Sequence, residues 1–576
     1  MQYKVICAGA LMALAVLPAT AGLKWYAVDP MGELPYMPDK APAGGREGAT
    51  LKIIAARGEY EPCSFVLVAD ADLGKVKLEV SDLKRDEGRG MGDEIFPKEK
   101  LDLKTVKVWY QCGNAWTSYF ADPKLRLIPE LLLNDEDLIK VDTEKGWNYA
   151  RLTEADGRVH FHWLNPPAGA VNRDEGKFFC MKPNFCDAKT HQGATLKKGE
   201  YKQFFLTANV GKEVKAGLYR GEVKIKSKAK GEGEQWKIPV FLRVLDFELP
   251  KPKCYFDIEK DFIVWFCECL GVDYYQKLNG NDRDLAKKQL LATLKDFVQH
   301  NEVTPNYYKA ADDYEIGQEA GMVFDGALRA GGMYLGETAE MRYRARRKKE
   351  ELTKTFGWHP FMMEWGDEFG LATLRGVRDM VEIYEAEGFR WPVNSNYGYA
   401  AAGYLSDLWW PPSWPGKKSA EKVAKFNQLG GDGYFGWYAC HHVGTENPAF
   451  CRRQYGFGPY RAGFSSDFNY AHCPAEWNDL RNMYRAMAFV YATGDGVVDT
   501  IAWEGFREGI DDICYATKLK QLALPLVKSA DIRKKYAAKK ALQLLADADG
   551  DNMDLTTLRL EMIRHIQRLM ALNEKR

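Results

Sequence analysis

The feature that most constrains this chain is a change of hydrophobic period near Pro250 and Pro252. Ahead of that point apolar residues recur at every second position. In KVKLEV, Val76, Leu78 and Val80 alternate with Lys75, Lys77 and Glu79, and the pattern returns at Val223 and Ile225 in GEVKIK and at Val240, Leu242 and Val244 in VFLRV. Successive side chains of a strand point to opposite faces, so this alternation specifies strands with one wet and one dry face. KAGLYRGEV and other Gly- and Lys-rich segments supply the turns. Antiparallel sheets packed as a β-sandwich over residues 22–250 satisfy the pattern, and FELPKPKC reads as a stiff linker out of it.

Beyond the linker the period becomes helical. Residues 282–299 place Leu290, Leu294, Phe297 and Val298 at helical spacing behind Asp282, a good N-cap. Residues 371–388 do the same with Leu374, Val377, Val381 and Tyr384, ending at Gly388 where a C′ glycine belongs. Between such helices lie short apolar runs: DFIVWF, HPFMMEW, RWPVNSN, DLWWPP, GYFGWYA and VVDTIAW. Strand and helix alternating over residues 251–516 predict a (β/α)8 TIM-like barrel. A doubly wound sheet is the alternative, but no glycine-rich phosphate loop follows the first strand. Residues 517–576 read as a helical C-terminal segment whose loop DADGDNMD fails as a calcium loop. Asn552 stands where glycine is required and Leu558 where a bidentate glutamate is required, so Asp554 is read as a helix cap.

The first 21 residues pair Lys4 with an apolar run and close on Ala19, Thr20 and Ala21, the pattern of a cleavable signal peptide. The expected protein is therefore secreted or periplasmic. No later stretch reaches the roughly 18 apolar residues of a membrane span. Basic and acidic residues balance at 80 each without long blocks, which argues against a nucleic-acid partner. Sixteen tryptophans offer flat faces with a polar edge, a surface suited to sugar rings. Of the twelve cysteines, Cys180 and Cys186 could pair locally. Cys267 and Cys269 are too close for the usual zinc spacing and read as core. His160 and His162 share one strand face, and His441 and His442 adjoin on a loop. No HExxH set or GxSxG elbow is present, so neither a catalytic metal nor a cofactor is expected.

In a barrel of this kind chemistry sits at the C-terminal ends of the strands. The residues expected there are Asp367 and Glu368 in WGDEFG, Asn394, Asn396 and Tyr397 after RWPVNSN, Trp437 and Tyr438 near the end of GYFGWYA, and Glu504 with Arg507 after VVDTIAW. Two adjacent carboxyls cannot both ionise as easily as isolated ones, which supplies an acid and an anion from one dipeptide. The same two residues would also suit the positive N-terminus of the following helix, and both readings stand at this point.

GEYEPCSFVL, KAGLYRGEVKI, the crossover FELPKPK, the strand-terminal Asp-Glu and REGIDDICY together resemble glycoside hydrolase family 123 over nearly the whole mature chain. The resemblance implies a β-N-acetylgalactosaminidase acting on a glycan, with the substrate's own 2-acetamido oxygen as nucleophile. It gives Glu368 the general acid/base role and Asp367 the task of orienting the acetamido group. Tyr434, Trp437 and Tyr438 are the candidates for an aromatic wall and a hydrogen bond to the acetamido carbonyl. Two other readings compete: a conventional pair of carboxylates, Glu368 with Glu504, on another glycan, and a carbohydrate-binding relative without catalysis.

Overall fold

The computed structural model describes residues 22–88, 90–113, 119–120, 122–164, 184–227, 235–266, 271–301, 311–322, 329–357, 361–364, 369–398, 407–410, 417–428, 433–438, 446–469, 472, 477, 485 and 488–574. Asp367, Glu368, His441, His442, Cys180, Cys267, Cys269 and the expected signal peptide lie outside these residues.

The period-two segments form two packed sheets. One is six-stranded, in the spatial order Arg46–Glu47, Leu23–Val28, Tyr60–Ala69, Tyr201–Asn209, Leu101–Gln111, Arg126–Leu133. The other is seven-stranded, with Ala194–Leu196, Gly74–Val80, Gly217–Lys226, Gln235–Glu248 and Leu51–Arg57 along its main path. Its last pair, Gln235–Glu248 with Leu51–Arg57, is parallel, a departure from the all-antiparallel expectation. Val76, Leu78, Val223, Ile225, Val240, Leu242 and Val244 fill the core between the sheets, as their alternation requires. The first sheet also buries its outer face: Trp109, Leu131 and Leu133 belong to the core shared with the second domain. That is why Arg126–Leu133 is almost continuously buried instead of alternating.

The second domain contains parallel strands. They are β1 (Ile263–Phe266), β2 (Arg329–Gly332), β3 (Met362–Glu364), β4 (Pro392–Asn394), β5 (Asp407–Trp410), β6 (Phe435–Tyr438) and β7 (Ser466–Asn469). Five pair in the order β1-β7-β6-β5-β4, and β2 pairs with β3. Backbone hydrogen bonds from Arg390 N to Phe361 O (2.9 Å) and from Met363 N to Arg390 O (2.8 Å) join the two groups. The result is a half-barrel: a closed eight-stranded barrel is not completed among the described residues.

Two expectations need correction. VVDTIAW is not a barrel strand. Val497–Asp499 pairs antiparallel with Val490–Ala492, and the chain then enters a long helix capped by Thr500. Conversely, β7 escaped the sequence reading because Ser466, Asp467 and Asn469 make it too polar to count as an apolar run.

The helices used below are α1 (Arg283–Gln299), α2 (Lys417–Gln428), α3 (Ile501–Ala523), α4 (Ile532–Asp547) and α5 (Leu555–Glu574). Asp282 caps α1 by accepting from Leu285 N at 2.9 Å, and Asp554 caps α5 by accepting from Thr556 N at 3.0 Å. Residues 371–388 form two helical pieces that break at Val377, and they close on Gly388 in the left-handed region at φ 92°. α3 runs through the expected 516/517 boundary and is buried on nearly every side. Gly505 and Gly509 allow this, because a Cβ there would meet Pro448 O at 2.3 Å and Arg452 O at 2.6 Å.

A helix buried all round must have its charges answered. Arg452 grips Asp512 with two hydrogen bonds, at 2.8 and 3.0 Å. Arg559 of α5 reaches Asp512 (2.7 Å), Glu508 (2.6 Å) and, on a sandwich strand, Glu61 (2.9 Å). Removing one side of such a network leaves uncompensated buried charge, costing about 3–5 kcal/mol, whereas an exposed pair is worth about 0–1 kcal/mol. Arg559→Leu should therefore lower the thermal unfolding midpoint sharply. Arg564→Leu, which breaks the exposed pair with Glu561, should leave it nearly unchanged.

Candidate functional site

Parallel pairing decides which strand residues share a face. Trp265 pairs with Phe468 and Phe468 with Tyr438, so these three lie together on the concave side of the sheet. Phe468 and Tyr438 stack at 5.1 Å, and Tyr438, the last residue of β6, is partly open to solvent. They form an aromatic floor at the C-terminal ends of β1, β6 and β7. Asn394 ends β4 and is buried, while Asn396 beyond it is exposed and turns its carboxamide oxygen to Gly398 N at 2.8 Å.

The chain around the Asp-Glu pair is constrained by its flanks. Residue 362 lies opposite Arg390 through the hydrogen bonds already described, and the next contact is a bridge between Phe369 and Ser395, with Ser395 Oγ donating to Phe369 O at 2.9 Å. From 362 to 369 is seven steps, but from 390 to 395 is only five. The two described contacts therefore differ in register by two residues, with the excess on the β3 side.

The remaining predicted residues separate. Trp437 alternates with Tyr438 and so faces the helices. It is buried in the main core with its ring 5.4 Å from Tyr455, and the aromatic-wall reading is corrected for this residue. Tyr434 precedes β6. Its ring packs edge to face on Trp265 at 5.8 Å and so joins the same aromatic cluster, but its backbone lies about 13 Å from that of Tyr438 at about 3.3 Å per residue, at the N-terminal ends of the strands.

There Asp407 accepts from Tyr434 N (2.6 Å) and from the Arg390 guanidinium (3.0 Å), while Lys260 and Arg390 sit over the Tyr434 ring at 4.5 and 5.3 Å. This is a structural plug, and burial pushes the Tyr434 phenol up to about 12. Tyr397 stacks on Phe435, a helix-facing residue, at 5.9 Å and lies under Lys422 of α2, away from the floor.

Glu504 is also displaced from expectation. It lies in the first turn of α3, buried, and is paired with Arg507. His300 Nε2 stands 3.5 Å from Glu504, and His300 Nδ1 stands 3.1 Å from Asp296. Lys104, from the sandwich, reaches Asp499 at 2.6 Å beside them. A cavity of about 230 Å³ between the two domains is lined by Tyr60, Lys104, Thr207, His300, Asp499 and Glu504. Glu504 is thus part of the domain interface and does not face the aromatic floor.

Burial raises a carboxyl's pKa, but Arg507 and His300 outweigh it and bring Glu504 down to about 2. Burial lowers an imidazole's pKa, but Asp296 and Glu504 outweigh it and push His300 up to about 9. Asp296, His300 and Asp499 offer donor atoms within 4.8 Å of one another and could in geometry hold a cation. Three carboxylates are nevertheless already balanced by Lys104, Arg507 and a protonated His300.

Sequence reasoning also missed Asp467. It pairs with Trp437 and Val264 in the sheet, hence faces the helices, and its carboxyl has no hydrogen-bond partner among the described residues. Burial pushes its pKa well above the carboxylate range, which favours the neutral acid. The available signal was its place in SDFN, one step from Phe468.

No family profile and no curated protein matches the sequence. Among solved structures, a family 123 glycoside hydrolase from Clostridium perfringens, studied for glycolipid glycan hydrolysis, is similar over 96% of this chain and 98% of that one. Its TM-score is 0.58 at 12% identity. The two chains share a fold over their full lengths. Bacteroides uniformis β-glucuronidase 3 (7% identity, covering 81% of this chain and 51% of that one, TM-score 0.25) and a Parabacteroides merdae β-glucuronidase (8%, 86% and 75%, 0.28) superpose too weakly to carry an argument.

The His300 linkage has a defined sign. A folded-state pKa raised from about 6.5 to about 9 gives stability that is complete below pH 6.5 and is lost as pH rises through 9, worth at most about 3 kcal/mol. The thermal midpoint of the parent should therefore fall more steeply between pH 6 and pH 9.5 than that of His300→Gln, measured side by side by calorimetry.

Proposed function

We propose that the protein is an exported glycoside hydrolase that removes a β-linked 2-acetamido sugar, N-acetylgalactosamine first, from the end of a glycan. The carrying observation is the two-residue register excess between the β3 contact at Arg390 and the Phe369–Ser395 bridge. Adjacent side chains of a regular strand point to opposite faces, so a site shared by Asp367 and Glu368 requires an interruption of this kind. The neighbouring strand ends supply Asn394 and the Tyr438–Phe468 floor, a polar group beside an apolar face suited to a pyranose ring. The full-length fold similarity to a family 123 glycoside hydrolase supports the same reading by analogy. Closure of the half-barrel into a complete (β/α)8 barrel belongs to this proposal, as do the domain limits at residues 250 and 516 and cleavage after residue 21.

In the proposed reaction Glu368 protonates the leaving oxygen while the 2-acetamido oxygen of the substrate attacks the anomeric carbon. Asp367 holds the acetamido N–H and stabilises the oxazolinium ion. Glu368 then takes a proton from the water that opens it, so the sugar leaves with retained configuration. No protein nucleophile is needed. The conventional alternative draws no support from Glu504, which is held by Arg507 and His300 on the interface side of α3.

The test is release of 4-nitrophenol from the β-N-acetylgalactosaminide against the β-galactoside. A strong preference for the first, with inhibition by a thiazoline mimic of the oxazoline, is expected; a preference for the galactoside removes substrate assistance. Glu368→Gln should lower kcat by roughly 10²- to 10⁴-fold with the thermal midpoint unchanged.

A further inference from the structure

A small sheet in the sandwich domain, formed by Ile139–Asp142, Trp147–Thr153 and Val159–Leu164, has two unlike faces. Its register puts Ile139, Ala150, Leu152 and Leu164 on the side that enters the core. The alternate residues point the other way. Trp147 lies opposite Asp142, Tyr149 opposite both Lys140 and Trp163, and Arg151 opposite Phe161.

Four aromatic residues therefore share the face turned from the core, where an antiparallel sheet ordinarily carries polar side chains. Trp147 and Trp163 pack at 4.4 Å between ring centres, and Trp147 and Tyr149 at 6.3 Å. Phe161 is 46% exposed and Val159 51%. Trp147, Tyr149 and Trp163 are half-buried and Phe161 is open to solvent, on the side of the sheet opposite the one that enters the core.

The charges around the rings are not symmetric. Arg151 is held by Asp135 at 2.7 Å, and Lys145 has Asp142 at 3.5 Å. Lys140 has no carboxylate partner among the described residues and lies over the rings of Tyr149 and Phe161, at 5.9 and 5.3 Å. Lys145 lies over Trp147 at 5.2 Å. An ammonium resting on an exposed ring is held by about 0.5–1 kcal/mol, little enough to exchange for an anion.

We propose that this face is a second glycan-binding site, separate from the strand-end site, whose ligand is an acidic glycan chain. Apolar faces of the sugar rings lie on Trp147, Phe161 and Trp163, while Lys140 and Lys145 move off the rings to pair with sulfate or uronate groups. It is a binding surface only, so it stands or falls without reference to hydrolysis.

The experiment is calorimetric titration of the full chain with a chondroitin sulfate octasaccharide and, as neutral control, a hexasaccharide of β-linked N-acetylglucosamine. Binding to the sulfated chain that weakens with added salt, and at least tenfold weaker binding to the neutral one, is expected. Trp147→Ala with Trp163→Ala should abolish it. Lys140→Glu and Phe161→Ser, which alter exposed positions and keep the core face intact, should weaken it at least threefold with an unchanged thermal midpoint. All variants should retain the parent's activity, or lack of it, on the chromogenic glycoside. Absence of binding by the parent, equal binding of the neutral chain, or undiminished binding by the folded Lys140 and Phe161 variants overturns the proposal.

Discussion

The structure depends on how α3 is allowed to be buried. That helix carries Glu508, Asp511 and Asp512 in the centre of the molecule, facing Glu59 and Glu61 of the sandwich, and the guanidiniums of Arg452, Arg507 and Arg559 answer them. Arg559 touches Asp512, Glu508 and Glu61 at once, so one side chain from the last helix joins the sandwich to the second domain. Three arginines, one of them shared with Glu504, do not match five carboxyls. Burial and like charge push Glu61 and Asp511 well above the usual carboxylate range, and Glu59 to about 7, so protons supply the remaining neutralisation. Asp512 is held below the usual carboxylate range, because Arg452 and Arg559 outweigh its burial.

This framework positions the strand ends. The sandwich buries Trp109, Leu131 and Leu133 in the core it shares with the second domain, and from the same interface Trp503 and Phe506 of α3 pack on Phe266 of β1. At their N-terminal ends Asp407, Arg390 and Tyr434 lock β4, β5 and β6 together. At their C-terminal ends the same strands expose Tyr438 and leave Asn394 beside the β3 stretch. Rigidity at one end and access at the other is the arrangement a strand-end site requires.

Legibility in the sequence followed the physical range of each signal. Val76 and Leu78, Asp282, Gly388 and Asp554 were readable because alternation, capping and left-handed turns depend on a few neighbouring residues. β7 was not, because Asp467 and Asn469 are polar residues buried by the sheet around them. VVDTIAW was misread because an apolar run has the same composition in a hairpin strand, a barrel strand and a helix start. At the site, Tyr438 falls where a strand end was expected, but Trp437 beside it faces the helices, since adjacent strand residues cannot share a face.

The sequence by itself determined the change from period-two sheets to alternating strands and helices, the caps that end the helices, and the nomination of Asp367 and Glu368. Only the tertiary structure decided that Tyr434 reaches Trp265 from the N-terminal ends of the strands, that Glu504 belongs to the domain interface, and that Trp147, Tyr149, Phe161 and Trp163 share one face of a small sheet. The reason is range. Periodicity and capping act within a few residues of chain, whereas the partner that answers a buried charge, or the register that aligns two rings, comes from residues hundreds of positions away, as Arg507 with Tyr60 and Arg559 with Glu61 demonstrate.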